Sequence, residues 1–183
     1  TASQYLISVE LTPTNATNCP TVRVSGFTIN TDSCGILYSN KSAAYECTNV
    51  RFDNNILTQS EALHDTDKSS YIFCTHGLAH GVMDNSTITG FMEIVGAIDL
   101  WTNNSYEFGT NSNFYFEDNT WNVLGAMAGN GPGRYAFRYN TIVLPEATAT
   151  SPLFDQHGSN PNHQSGYGAE IYGNTAQSHY AAS

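Results

Sequence analysis

Asp155, His157 and Glu93 are the residues of this sequence whose types and positions favour catalysis. Asp155 and His157 are separated by one residue, so on a β-strand both side chains lie on the same face. The carboxylate can then orient the imidazole, or both groups can contact a sugar. A structural alternative stays open, in which His157 and Gly158 shape a turn and Asp155 accepts hydrogen bonds from main-chain amides.

Two further segments have the composition of metal sites. His76 and His80 have the spacing of zinc ligands on a helix. Gly77, Gly81 and the surrounding strand pattern favour a strand instead, so no metal ligands are predicted there. Residues 64–67, with the sequence HDTD, offer oxygen ligands suited to Ca2+, although two carboxylates in a polar loop are usually just solvated. Ca2+ is therefore the one cofactor that these two segments suggest.

A recurring pattern predicts the elements that position these groups. In residues 114–121 and 135–142, apolar residues alternate, Asn and Thr follow, and a large apolar residue closes the unit. Alternation at period two indicates a strand with one buried face, and the Asn is typical of a turn residue that tolerates left-handed backbone angles. Aligned on the Asn, the pattern recurs at Phe27, Asn55, Ser86, Asn119, Asn140 and Asn174.

The repeat period predicts a solenoid. Consecutive aligned positions are 28, 31, 33, 21 and 34 residues apart. The residues three positions before and two positions after them are all apolar. Each unit then forms one coil whose strands stack about 4.8 Å from those of the next coil. The aligned Asn side chains form a column in which amides bond along the axis. A two-sheet sandwich is the alternative.

Four runs of sequence carry a family resemblance. The runs WTNNSYEFGTNSNFYFEDNTW, GRYAFRYNTI, DQHG and AEIYGNT resemble secreted right-handed parallel β-helix proteins of the pectate-lyase-like superfamily. The resemblance covers residues 80–176 and reaches the first 80 residues through the repeat. It implies an all-β, right-handed parallel β-helix of about six coils with an Asn-rich turn column. It does not identify an activity, because the superfamily includes lyases, hydrolases, phage tailspikes and adhesins.

In this architecture the strand that precedes the Asn-bearing pair lines an open groove. The sequence places His76, Glu93, Asp99, Asp155 and His157 there. Glu93 and Asp155 fall two coils apart, on the order of 10 Å along the axis, near the upper limit for an inverting pair of carboxylates. Glu93, Asp155 and His157 are the catalytic candidates, and His76 and Asp99 are candidates for substrate contact.

Basic and aromatic residues complete the candidate site. Uronic-acid lyases use an Arg or Lys base, and Arg134 and Arg138 are the basic residues near the groove. The lyase motifs of the superfamily are not matched residue by residue, and Arg138 also fits an outward strand position. Tyr167, together with Tyr115 and Tyr139, is a candidate surface aromatic for sugar contact.

Composition limits the class of protein. A length of 183 residues, with 40% hydrophobic and 12% charged residues, is typical of a single folded domain, residues 1–183, without a membrane-spanning segment. A net charge of −10 argues against nucleic acid as a partner. Abundant Asn, Ser, Thr, Gly and Tyr, together with four Cys, favour an extracellular protein.

These patterns predict an extracellular protein that binds a polysaccharide in a groove, and they leave open whether it also cleaves the polymer as a lyase or a glycoside hydrolase. The alternative is a non-catalytic structural element, such as an adhesin, tailspike or filament segment. No capping helix is predicted and the chain begins with Thr1, as expected for a segment of a longer chain or for coils that associate end to end.

Cys19 and Cys47 test this alignment of the coils. Each lies eight residues before its aligned position, so their Cα atoms are expected about 4.8 Å apart, within reach of a disulfide. Two buried free thiols are the alternative. The states of Cys34 and Cys74 stay open.

Overall fold

Short parallel strands wind into a solenoid in the computed structural model of this chain. The residues described are 5–15, 17–31, 34–42, 45–59, 71–90, 92–95, 108–122, 127–130, 133–144, 153–156 and 166–178. They form eighteen strands and no helix.

The strands form three six-stranded sheets, A, B and C. Sheet A contains β1 (Tyr5–Leu11), β4 (Cys34–Asn40), β7 (Phe73–Gly77), β10 (Met92–Val95), β13 (Met127–Asn130) and β16 (Phe154–Gln156). Sheet B contains β2 (Val22–Ser25), β5 (Val50–Asp53), β8 (Gly81–Asp84), β11 (Phe114–Glu117), β14 (Arg134–Arg138) and β17 (Gly168–Tyr172). Sheet C contains β3 (Thr28–Thr31), β6 (Ile56–Gln59), β9 (Thr87–Thr89), β12 (Thr120–Asn122), β15 (Thr141–Leu144) and β18 (Thr175–Ser178).

The chain visits the sheets in the fixed order A, B, C. Every strand therefore pairs in parallel with the equivalent strand of the turn before or after it, as β5 pairs with both β2 and β8. Consecutive strands lie in different sheets, which is the connectivity of a parallel β-helix and not of a sandwich. The predicted all-β parallel β-helix is confirmed, and its right-handed sense stays a prediction from the usual handedness of parallel crossovers.

The interior is formed by columns of apolar side chains. Phe52, Met83 and Phe116, which lie three residues before aligned positions, are fully buried, and so are Leu57 and Ile88 two residues after them. Aromatic rings of neighbouring turns contact each other at tilted angles, as Phe116 and Phe137 do with ring centres 6.4 Å apart, because residues on one sheet face repeat at the strand spacing. At the last described turn the column is open, and Ile171 is 46% exposed.

An asparagine ladder of six aligned positions, linked by five hydrogen bonds, runs along the corner between sheets B and C. The main-chain N–H of each aligned residue donates to the side-chain oxygen of the next one: Phe27 to Asn55, Asn55 to Ser86, Ser86 to Asn119, Asn119 to Asn140 and Asn140 to Asn174, at 2.9–3.1 Å. The Asn side-chain amides donate in turn to strand carbonyls of the preceding turn, as Asn119 does to Met83 at 2.9 Å. The predicted column is confirmed.

One detail of the predicted turn is wrong. The left-handed backbone angle lies one residue before the ladder position, not at the ladder Asn. The residues with positive φ at this corner are Gly26, Asn54, Asn85, Asp118, Tyr139 and Gly173. The ladder residue directs its amide along the axis toward its neighbours, and the chain bends from sheet B to sheet C at the residue before it.

Cys19 and Cys47 form the predicted disulfide. Their Cα atoms are 5.3 Å apart and 28 residues separate them in sequence. The bridge joins the first two turns, as expected from their equal offset from the ladder. The side chain of Cys74 is buried, and that of Cys34 lies outside the described part of the chain.

Candidate functional site

Sheet A places the predicted carboxylates in one register. Glu93 is paired with Ala128, and Ala128 is paired with Asp155, so the two acidic positions lie two strands apart on β10 and β16. The strand spacing puts their backbones about 10 Å apart, as predicted. The structure describes these backbones and not the two side chains.

The structure describes only some of the other predicted contact residues. His76 lies on β7 of sheet A and is exposed, with Val95 as its neighbour on β10. Asp99 and His157 lie outside the described residues, as does the predicted Ca2+ loop at 64–67. Tyr167 is half-buried just before β17, and its N–H donates to the carbonyl of Gly133. Their proposed roles stay predictions.

Arg134 lies at the corner between sheets A and B, where it is only 6% exposed. Its guanidinium is 3.4 Å from a carboxylate oxygen of Glu46 and 3.3 Å from Nε2 of His80. Ser112 also donates to Glu46, at 2.9 Å. Arg134 therefore joins turns that are remote in sequence, and the predicted contact with substrate stays untested.

His80 is a neutral imidazole within this corner. A guanidinium only donates hydrogen bonds, so Nε2 of His80 accepts from Arg134 and the proton resides on Nδ1. Nδ1 is 3.5 Å from the Glu46 carboxylate, too long for a good hydrogen bond. Burial, assisted by the charge of Arg134, lowers the pKa of His80 to about 3. Among the described residues, no cluster of three His, Cys, Asp or Glu side chains is arranged to hold a metal ion.

The outer face of sheet B carries ion pairs between neighbouring turns. Arg23 binds Asp53 through two hydrogen bonds of 2.8 and 2.6 Å, and Arg51 binds Asp84 in the same way at 2.9 and 2.6 Å. The hydrogen bond from Arg23 lowers the pKa of Asp53 to about 2, against the opposing effect of desolvation. Fork-shaped pairing of this kind fixes both side chains on the sheet surface.

Arg138 is the centre of an exposed aromatic group farther along the same sheet. Its guanidinium lies 4.4 Å from the ring centre of Tyr115 and 5.8 Å from that of Tyr139. It donates to Glu117 at 2.6 Å and to the hydroxyl of Tyr172 at 2.9 Å. Desolvation opposes its charge, but these two hydrogen bonds raise the pKa of Arg138 above its ordinary value. We call Tyr115, Arg138, Tyr139 and Tyr172 the Tyr–Arg cluster.

Two rings of the Tyr–Arg cluster face solvent. Tyr139 is 56% exposed and Tyr172 is 37% exposed, and their rings meet edge to face at 5.7 Å. A Cβ at Gly173 would lie 2.7 Å from the Tyr139 ring, so glycine allows the ring to rest against the next turn. Tyr139 has a φ of 57°, which costs energy for a bulky residue. The aromatic surface is held rigidly at the corner of the solenoid.

A row of exposed residues leads to this cluster along the corner. We call the residues with positive φ before the ladder the turn row, and its exposed side chains run in order through Asn54, Asn85, Asp118 and Tyr139. Asn54 and Asn85 each donate to the preceding Asp, at 2.6 and 2.7 Å, which turns their side-chain oxygens away from that bond. Amide and carboxylate oxygens therefore line the corner beside an aromatic end.

The sequence reasoning identified part of this surface. Arg138, Tyr115 and Tyr139 were candidates, and the structure brings all three together. Tyr172 and Asp118 were missed, although the repeat itself contains the signal. Tyr172 lies two residues before its ladder position, where the alternation of the strand predicts an outward side chain, and Asp118 lies one residue before its ladder position, at the turn itself.

Comparison of this chain with models of known protein families, with curated proteins and with solved structures gave no match. Within the described ranges, nothing forms a helix of the length and apolarity needed to cross a bilayer. Likeness to β-helix proteins is therefore established at the level of architecture: the chain is a parallel β-helix.

Proposed function

We propose that this chain is an extracellular β-helix protein that binds a polysaccharide along the turn row, with the Tyr–Arg cluster as its principal contact. The single observation that carries the proposal is the exposed Tyr139–Tyr172 pair, held in place by Arg138 and Gly173. Sugar rings present C–H groups on one face, and these pack on exposed aromatic rings. Because the supporting side chains are already fixed, little conformational entropy is lost on binding.

The turn row supplies the polar partners that a sugar requires. Asn54, Asn85 and Asp118 present oxygen acceptors to solvent at successive turns. Sugar hydroxyls donate to such acceptors, and a polymer that runs along the axis meets one of them at each turn. The disulfide between Cys19 and Cys47 supports an oxidising, extracellular location. Membership of the pectate-lyase-like superfamily remains part of the proposal.

The test is a binding assay with two matched variants. Tyr139→Asn introduces the residue that occupies the same turn-row position at Asn54 and Asn85, so the positive φ is retained. Tyr172→Ser introduces the residue found at the equivalent strand position, Ser25. The double variant is expected to lose at least about tenfold in affinity for the polysaccharides that the unaltered protein binds in gel-shift and calorimetric assays.

The control for these variants is Phe108→Ala, which removes an aromatic side chain that is 75% exposed and lies outside the cluster. It is expected to leave binding unchanged. Equal affinity of the double variant and the unaltered protein would refute the cluster as the contact. Failure of the unaltered protein to bind any member of a broad polysaccharide panel would refute the function itself.

Cleavage on sheet A is the second candidate function. The register Glu93–Ala128–Asp155 favours it, because two carboxylates then flank a small residue. This pair lies on a different sheet from the Tyr–Arg cluster, so binding and cleavage are separable. Glu93→Gln and Asp155→Asn are each expected to abolish the release of reducing ends, whereas the double Tyr variant changes only the affinity. If the unaltered protein releases no reducing ends from any polysaccharide, cleavage is refuted and the binding role remains.

A further inference from the structure

The charged side chains of this chain leave few cations for an acidic polymer. The sequence has 16 acidic residues and six Lys plus Arg, and five of the six cations lie in the described part of the chain. Each of these five forms an ion pair with a carboxylate: Arg23 with Asp53, Lys41 with Glu10, Arg51 with Asp84, Arg134 with Glu46 and Arg138 with Glu117. The described surface therefore presents no cation whose charge is uncompensated.

Arg138 is the cation nearest to the proposed contact, and each of its three guanidinium nitrogens already has a partner. One edge of the guanidinium binds Glu117 and another binds the Tyr172 hydroxyl, while its face lies over Tyr115. A carboxylate on a sugar would have to displace Glu117 to gain the same geometry. Exchange of one carboxylate for another brings no net electrostatic gain.

Asp118 adds negative charge at the centre of the turn row. It is exposed and lies in the row between Asn85 and Tyr139, directly before the aromatic end. No Lys or Arg of the described residues forms an ion pair with it. With a net charge of −10 over the whole chain, a polyanion that follows the turn row meets repulsion at this residue.

We infer that the polysaccharide is neutral: a polymer whose sugars carry hydroxyl groups without carboxylate or sulfate. This inference rests on the proposed function and specifies its substrate class. Asp118 and the two turn-row amides accept hydrogen bonds from sugar hydroxyls, and the paired rings of the Tyr–Arg cluster contact the C–H face. Selection against an acidic polymer comes from Asp118, because like charges facing each other weaken the wrong complex.

The experiment compares polymers that differ only in charge. Several polyuronates of different linkage and sugar configuration are tested beside their carboxyl-reduced forms, in which each acid has become a primary alcohol. The expected result is that at least one reduced polymer binds, and that its parent polyuronate binds at least roughly tenfold more weakly. Added salt is expected to narrow this difference, because it screens repulsion and leaves the neutral complex unchanged.

Asp118→Asn tests the cause of the selection. It keeps a residue that favours positive φ and an oxygen acceptor but removes the charge, so the ratio of polyuronate affinity to neutral-polymer affinity is expected to rise severalfold. Polyuronates that bind as tightly as their reduced forms would overturn the inference and leave the binding function intact. No binding by either form, across all pairs, would overturn the binding function itself. An unchanged preference in Asp118→Asn would overturn the role of this carboxylate.

Discussion

Loss of a single ladder amide at Asn140 is expected to destabilise the whole solenoid. The side chain is 1% exposed and makes six hydrogen bonds. Its oxygen accepts from the N–H of Asn119 at 3.0 Å and from the indole of Trp121 at 3.2 Å, and its amide donates to the carbonyl of Phe116 at 2.9 Å. Asn140→Ala removes the partner of all three groups at once.

The magnitude follows from those orphaned groups. Each buried polar group left without a partner costs about 1–3 kcal/mol, so Asn140→Ala is expected to lower the free energy of unfolding by about 3–5 kcal/mol. That is a large share of the roughly 5–15 kcal/mol typical of a domain. At about 2–4 °C per kcal/mol for a chain of this size, the melting temperature should fall by roughly 6–20 °C.

The assay is urea and thermal unfolding followed by far-ultraviolet circular dichroism. Asn140→Ser is a graded comparison, because the hydroxyl of Ser86 at the equivalent position still accepts from the N–H of Asn55. Asn140→Ser is expected to lower the free energy of unfolding by less than Asn140→Ala does. Asn30→Ala, at an exposed position on β3, is the control and should change stability by less than about 0.5 kcal/mol. If Asn140→Ala costs no more than this control, the ladder does not stabilise the fold as argued.

Three further predictions concern pH, the disulfide and a turn. The pKa of His80 is about 3 in the folded state and 6.5 in the unfolded state, so between these pH values the unfolded state binds more protons. The free energy of unfolding is therefore expected to fall by up to about 5 kcal/mol as the pH drops from 6.5 to 3. His80→Gln should flatten that pH dependence, and an unchanged slope in urea titrations would contradict it. Replacement of both Cys19 and Cys47 by Ser should lower the free energy of unfolding by roughly 3–4 kcal/mol under non-reducing conditions, because the bridge closes a loop of 28 residues. A reducing agent should have no further effect on this variant. Gly77→Ala should lower the melting temperature far more than Gly26→Ala. Both glycines have a φ of 77°, but only a Cβ at residue 77 would meet a main-chain oxygen, at 2.1 Å. Equal losses of melting temperature would show that the backbone angle alone sets the destabilisation.

The fold could be predicted because each turn repeats the same short-range spacing of residue types. Every turn needs apolar residues at fixed offsets and one side-chain acceptor at the corner, so Phe52, Asn55 and Leu57 recur in kind as Phe116, Asn119 and Trp121. The disulfide followed from the same offsets. The turn row was harder to find, because solvent imposes no packing requirement and the outward residues vary from turn to turn.

The candidate site could be predicted only in part. Glu93 and Asp155 share a register that could be counted from the spacing of neighbouring turns. The same register places Glu117, Arg138 and Tyr172 on neighbouring strands, but the spacing does not predict that the Tyr115 and Tyr139 rings pack on the Arg138 guanidinium. Arg134 was assigned to the groove, but its position depends on Glu46, which is 88 residues away. Such pairings depend on the lengths of loops between the turns, which the repeat does not specify.

The amino-acid sequence by itself determined the parallel β-helix, its apolar columns, its asparagine ladder and the Cys19–Cys47 bridge, because each arises from short-range spacing repeated once per turn. Only the tertiary structure decided which surface residues meet. Stacking of the turns brings Tyr139 against Tyr172 and buries Arg134 beside His80, although neither pair is adjacent in sequence. The physical reason is that hydrogen bonding between strands sets the register along the axis, and side chains from different turns become neighbours only once that register is formed.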